Sequence, residues 1–288
     1  MSFAGWLLLI LAVTLLAAVM MAYQVVKRQS RKVILDPGYF GLDFIDDAFT
    51  TADGIDLAGW WILAEGSKRT IICLHGYGGS CDPDLEYARG LHDAGFNLLY
   101  FDFRAHGRSH GTLTSIGALE VQDCLAAIRY AEAKGSRSVG LLGFSMGGRV
   151  ALLTAARHPG LVKALISDGG PARLTTAIAA DLHEKHIPCP LNIWLAYIIV
   201  LGMSILTRRN LFTHEPYYLA SKLAPLPVLF IHGGKDPHTR MDELEYMVRK
   251  TGENGECWVV PQAGHRNIED FVGNEYIKRV TAFFKRNL

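Results

Sequence analysis

The sequence predicts an α/β fold in which a mostly parallel sheet carries helices on both faces. Three observations predict it. Short apolar runs alternate with helix-period patterns from residue 70 to the end, with a break between Gly170 and Leu226, a hairpin precedes them, and several of the runs end in glycine turns. Strands are expected near 70–74, 97–102, 138–142, 162–167, 227–232 and 256–260, and helices near 83–94, 117–134, 146–157, 240–250 and 268–286. Strand–helix alternation of this kind implies parallel pairing with both faces covered. Asp43 to Thr51 and Ile55 to Ala64, separated by Ala52-Asp53-Gly54, read as the hairpin, which adds antiparallel pairing at one edge.

The third expected strand of the alternating part ends in Gly143-Phe144-Ser145-Met146-Gly147, and a helical run follows to His158. Strand, sharp turn and helix form the context in which G-x-S-x-G presents a nucleophile. Flanking glycines let the backbone turn tightly and allow the serine a strained conformation. The pentapeptide alone is weak, so its partners must confirm it. The expected order is serine, acid, histidine. Pro227 to Asp236 is an apolar run ending in Gly233-Gly234-Lys235-Asp236, and Cys257 to His265 is another ending in Gly264-His265. Upstream, Thr70 to Leu74 runs into His75-Gly76-Tyr77-Gly78-Gly79, a glycine-rich loop suited to an oxyanion-hole amide.

With these residues the chain resembles the α/β-hydrolase superfamily, and within it the lysophospholipase-like esterases and lipases. The resemblance covers roughly Ala48 to Leu288 and includes Asp102-Phe103-Arg104-Ala105-His106-Gly107-Arg108-Ser109, similar to the family's D-x-R-G-x-G-x-S turn. Ala105 stands where the family has glycine, so a slightly different backbone is expected there. Pro237 stiffens the loop after the acid.

Ser145 is therefore expected to be the nucleophile and His265 its general base, since an imidazole can take and return a proton at neutral pH. Asp236 is expected to orient His265, with Asp168, at the end of the preceding strand, as the rival acid. The resemblance assigns the oxyanion hole to the backbone N–H groups of Tyr77 and Met146, with Gly78 as the alternative to Tyr77. His75, Arg104 and Asp123 are expected to brace loops. His183 and His186 sit three apart without a zinc-motif spacing, so no metal and no cofactor are expected.

A chain of 288 residues, 50% hydrophobic, can bury a full core, and a net charge of +1 does not suggest a nucleic-acid partner. Five scattered cysteines fit reduced thiols better than a disulfide framework. Ser2 to Val26 carries no charged side chain and would run about 37 Å as a helix, enough for a bilayer core of about 30 Å. Neither a signal peptide's preceding lysine or arginine nor a clean cleavage site is present. Lys27, Arg28, Arg31 and Lys32 follow the stretch, which places the catalytic domain on the cytoplasmic side of a single-pass anchor.

The expected organisation is an anchor at 3–26, a basic linker at 27–39, and a catalytic domain at 40–288 with a lid insertion at 171–224. That insertion holds an uncharged run from Ile187 to Thr207, spoiled as a span by Pro188, Pro190 and Asn192. It reads as a lid helix on the substrate pocket or the bilayer surface, with Trp194 and Ile198 as candidate substrate contacts. The activity expected is hydrolysis of small-molecule acyl esters, lipid-like ones first. A thioesterase, a peptidase or amidase, or an idle acyl- or protein-binding member would carry the same fold.

Overall fold

The computed structural model describes residues 2–29 and 31–288. Helix α1 (Phe3–Val26) starts where the Ser2 hydroxyl accepts the Gly5 N–H at 3.2 Å. The hairpin β1 (Ile45–Thr50) and β2 (Asp56–Ile62) leads into β3 (Arg69–Leu74), α2 (Ala88–Asp93), β4 (Asn97–Phe101) and α3 (Glu120–Ala133). Then come β5 (Ser138–Phe144), α4 (Met146–Arg157) and β6 (Ala164–Asp168). The insertion contributes α5 (Leu174–Glu184), α6 (Leu191–Thr207) and α7 (Pro216–Leu219). The chain closes with β7 (Val228–Gly233), α8 (Met241–Thr251), β8 (Gly255–Val260), α9 (Glu269–Val272) and α10 (Glu275–Asn287).

The eight strands form one sheet in the order β1-β2-β4-β3-β5-β6-β7-β8. The β1–β2 and β2–β4 pairs are antiparallel, and every later pair is parallel. Central strands β4 and β6 are buried at every position, as unbroken apolar runs require when helices cover both faces. Edge strand β1 instead keeps most of its side chains exposed. On α10, Tyr276, Val280, Phe283 and Phe284 fall on one helical face and are buried under the sheet.

The helix expected over 268–286 divides in two, because Gly273 takes a φ of 53° between α9 and α10. The turn after β4 also departs from expectation. Ala105 keeps a φ of 57°, the left-handed conformation glycine favours, so the backbone is retained and the alanine bears a cost of about 1 kcal/mol.

The N-terminal helix is not free of the body. Ala18, Ala22 and Val26 are buried, and α1 packs along α6. The two backbones approach closely at Gly202, where an added Cβ would lie 2.9 Å from the Ala22 Cβ. Beyond the helix, Gln29 N–H donates to Ala105 O at 2.7 Å, and the Arg28 guanidinium donates to the carbonyls of Ser109, Gly107 and Gly111. Gly202→Leu should therefore wedge α1 from α6 and lower stability by about 1–3 kcal/mol in urea unfolding, as overpacking of a tight contact does. An unchanged midpoint would mean that the helix pair contributes nothing to the fold.

Candidate active site

The parallel strand order brings the carboxyl ends of β5, β6, β7 and β8 side by side, the place where open α/β sheets build their sites. Ser145 stands between β5 and α4 with φ 50° and ψ −114°, outside the regions open to an unstrained L-residue. Two glycines make this turn possible by close approach. A Cβ on Gly147 would overlap the Leu74 carbonyl, 1.8 Å away from its oxygen, and one on Gly143 would meet Gly147 O at 2.3 Å. The Ser145 N–H donates to Asp168 O at 2.7 Å, which ties the turn to the neighbouring strand end.

His265 follows β8, and its Nε2 lies 2.8 Å from Ser145 Oγ. Its Nδ1 lies 2.8 Å from Asp236 Oδ2, in the turn after β7. An ionised carboxylate can only accept, so Nδ1 carries the proton and Nε2 is free to accept from the serine hydroxyl. Burial by itself would raise the Asp236 carboxyl, but hydrogen bonds from His238 and His265 outweigh it and hold the group well below the usual carboxylate range. Ser145, His265 and Asp236 thus form one hydrogen-bonded chain.

Asp168 does not join that chain. It is buried at the end of β6, where it accepts from Tyr276 Oη and, at 3.3 Å, from Arg266 Nη1. Arg266 also pairs with Asp84 at 2.6 Å, so Asp168 belongs to a buried ionic cluster beneath the site. His75 braces the oxyanion loop, its Nδ1–H donating to Gly76 O at 2.7 Å while Nε2 accepts the Phe103 N–H at 2.9 Å. Arg104, in the turn after β4, donates to Asp123 on α3 and to Asp53 in the β1–β2 turn. The Gly78 N–H is turned to His106 Nε2 at 3.3 Å, which leaves the Tyr77 N–H as the loop's candidate donor toward Ser145. Met146 opens α4, so its N–H has no acceptor within the helix.

A cavity of about 690 Å³ opens over Ser145, His265, Tyr77 and Met146, a volume suited to an extended organic ligand. Its walls are mainly apolar and come from two sources. Helix α1 supplies Ala17, Met20, Met21 and Val25 with Gln24, and the insertion supplies Leu174, Ile178, Leu182 and Ile199. Trp194 and Ile198, expected as substrate contacts, are not among the lining residues. Trp194 is 69% exposed, and Ile198 is half-buried against the core. The buried face of α6 runs through Ala196, Ile199, Val200 and Met203, so the turn of the helix sends Trp194 outward and Ile199 to the cavity.

Two site residues escaped the sequence reading. His238, two positions after the acid, donates its backbone N–H to Asp236 Oδ1 at 2.8 Å and sets its Nδ1 3.3 Å from the same oxygen. Its Nε2 reaches Asp181 on α5 at 2.8 Å. Hydrogen bonds to Asp181 and Asp236 push the His238 imidazole up to about 10, so the ring is a cation at neutral pH. Its ring lies 4.4 Å from that of His265. Ligand-capable atoms of Asp236, His238 and His265 lie within 4.8 Å of one another, and this hydrogen-bond chain already employs them. His183 and His186 are exposed on the insertion and are not members of that group.

Comparison with known proteins finds relatives of the same fold. A family profile described as alpha/beta hydrolase fold matches residues 69–188. The uncharacterized protein YfhR of Escherichia coli O157:H7 is 26% identical over 244 residues, covering 82% of this chain and 78% of its own length. The sn-1-specific diacylglycerol lipase ABHD11 of Danio rerio is 29% identical over 144 residues, covering 46% of this chain and 41% of its own. Among solved structures, the Pyrococcus furiosus esterase Pf2001 superposes with a TM-score of 0.74 at 27% identity, covering 91% of this chain and 98% of that one. The Exiguobacterium antarcticum esterase EaEST, at 19% identity and a TM-score of 0.64 over 84% of this chain and all of that one, shares the fold. On its sheet order, its strained serine turn and these matches, the chain has the α/β-hydrolase fold and is similar to the proteins of that superfamily.

Proposed function

We propose that the chain is a membrane-anchored serine hydrolase of carboxylic esters with apolar, lipid-like acyl groups. The observation that carries this reading is the chain Ser145–His265–Asp236, at 2.8 Å for each link, opening into an apolar-walled cavity. Ser145 Oγ attacks the ester carbonyl as His265 Nε2 takes its proton, and Asp236 stabilises the imidazolium. The oxyanion is received by the N–H groups of Tyr77 and Met146, each worth about 3 kcal/mol in the transition state. His265 returns the proton to the departing alcohol, and the acyl-serine is released by a water that the same imidazole activates. Apolar walls favour an ester of an aliphatic acid over a peptide, whose amides would be left unpaired there. The similarity to an esterase over nearly the whole chain supports the same class.

Helix α1 supports the anchored part of the reading. Gly5–Val26 has a mean hydropathy of 2.5, and among the described residues it is the one unbroken helix long and apolar enough to cross a bilayer. Lys27, Arg28, Arg31 and Lys32 at its C-terminal side favour a cytoplasmic catalytic domain. In this reading the insertion at 171–224 acts as the lid.

Ser145→Ala should lose about 10⁴–10⁶ in kcat on p-nitrophenyl esters and all labelling by a fluorophosphonate. Labelling that survives in the variant would remove Ser145 from the mechanism, and an unlabelled wild type would favour an idle binding member.

Asp236→Asn should cost about 10⁴ in kcat by stranding the wrong imidazole tautomer, with Asp168→Asn costing far less. The opposite ranking would transfer the role to Asp168.

His238 gains its proton partners on folding, so its stabilising effect is complete below the ordinary histidine value of 6.5 and is lost as pH rises through about 10. The stability gap between the wild type and His238→Gln should therefore be widest near pH 6 and close toward pH 10 in urea titrations. A gap independent of pH would mean that His238 is not held as a cation.

A further inference from the structure

Helix α1 has 24 residues, about 36 Å at about 1.5 Å each. Its C-terminal part belongs to the catalytic body. Ala18, Ala22 and Val26 are buried, Tyr77 Oη donates to Val25 O at 2.9 Å, and Thr114 N–H donates to Val26 O at 2.7 Å. Ahead of the docked part, Phe3 to Leu16 is about 21 Å long, well short of a hydrocarbon core of about 30 Å. A spanning α1 must therefore carry its docked part into the bilayer. Setting Phe3 at one boundary of the core places the other near Ala22, beside Tyr23, whose half-exposed ring suits that depth.

The neighbouring helix then comes with it. Gly202 of α6 packs against Ala22, so α6 meets α1 at the boundary itself. The chain from Ile187 to Thr207 has no charged residue, and Arg208 and Arg209 follow it. The outer face of α6 is apolar, with Trp194 69% and Ile205 70% exposed and Leu201 and Tyr197 about half exposed. An apolar face of this extent, continuous with a span-length helix and ending in two arginines, matches a helix held at the bilayer surface with its cationic C-terminal end at the headgroups.

The cavity above Ser145 lies between α1 and the insertion, with Met20, Met21 and Val25 on one side and Ile178 and Leu182 on the other. Taking α1 as a membrane anchor, we infer that α6 lies embedded beside α1 in the same leaflet and that the active-site cavity admits its ester laterally, from the acyl–headgroup boundary of the bilayer. The substrate is then a membrane-resident lipid ester whose carbonyl sits at headgroup depth, within reach of Ser145. Its acyl chain lies along α1 and needs no passage through water, where each exposed methylene would cost roughly 0.8 kcal/mol.

Tryptophan quenching tests the placement. The full chain is reconstituted in phosphatidylcholine vesicles containing lipids brominated in the acyl chain, and wild type is compared with Trp6→Phe and Trp194→Phe. The expected result is that both variants lose quenchable emission, Trp6 reporting the anchor and Trp194 the outer face of α6. Loss with Trp6→Phe alone would overturn the embedding of α6 and leave the anchor intact; loss with neither would overturn the anchor as well. The entry route has its own test. Leu201→Lys with Ile205→Lys, on a face that does not line the cavity, should lower hydrolysis of a long-chain ester held in vesicles by about tenfold or more, as charges entering apolar lipid surroundings do. Turnover of soluble p-nitrophenyl acetate should stay within about twofold, since α6's outer face plays no part in that route. Equal effects on the two substrates, or none on either, would overturn lateral entry, and a shift of the wild type to dimers in the vesicles with Trp194 unquenched would assign the face to a second copy.

Discussion

Everything at this site depends on one strained turn. Ser145 is held at a positive φ because β5 enters the turn fully buried, α4 leaves it at once, and Gly143 and Gly147 let the two backbones touch. The cost of such a conformation is about 1–3 kcal/mol, and it persists only where the surroundings leave no alternative. Here the Leu74 carbonyl on one side and the Asp168 carbonyl on the other fix the turn between strand ends that the sheet cannot move apart. The hydroxyl is thereby carried clear of the sheet, to the point where the loops after β7 and β8 deliver Asp236 and His265.

The polar groups around the turn sort into two charge systems that stay separate. Above the strand ends runs Asp181–His238–Asp236–His265–Ser145, in which a cationic imidazole between two carboxylates links the insertion to the acid. Beneath it Arg266 joins Asp168 and Asp84, and its guanidinium also stacks over Phe144. The second system gives one oxygen each of the buried Asp168 and Asp84 carboxyls a partner. Because Asp168 is committed there, it is not available to orient His265. Arg149 makes a further connection: from α4 it reaches Glu215 at 2.6 Å and the Pro171 carbonyl at 3.3 Å, which ties these two points of the insertion to the helix that follows Ser145.

Helix α1 does two things that its composition alone does not distinguish. Its first half presents apolar side chains outward, and its second half packs on α6 and walls the cavity. The packing is close because small residues meet, Ala22 on one helix and Gly202 on the other, with Ala18 buried one turn earlier. Small residues four apart are a general means of bringing two apolar helices together.

Much of the fold was legible because it rests on local pattern. Apolar runs bounded by glycine turns located all eight strands, and the order of elbow, acid and histidine pointed to Ser145, Asp236 and His265, which the structure brings within hydrogen-bonding distance. What the sequence left open turned on non-local contacts. Of the two amides that could serve the site, Tyr77 and Gly78, the Gly78 N–H is engaged by His106, from a turn 28 residues away in the chain. The inward face of α6 was unreadable because the helix is apolar nearly all round, so its pattern marks no buried side; only packing against α1 and α5 turns Ile199 inward and Trp194 outward. The docking of α1 was hidden for the same reason, since an uncharged helix reads alike whether lipid or protein surrounds it. The sequence determined which residues are candidates for the chemistry, because reactivity and turn geometry are properties of short segments. The tertiary structure decided what lines the cavity, because that depends on which of several equally apolar faces finds a partner.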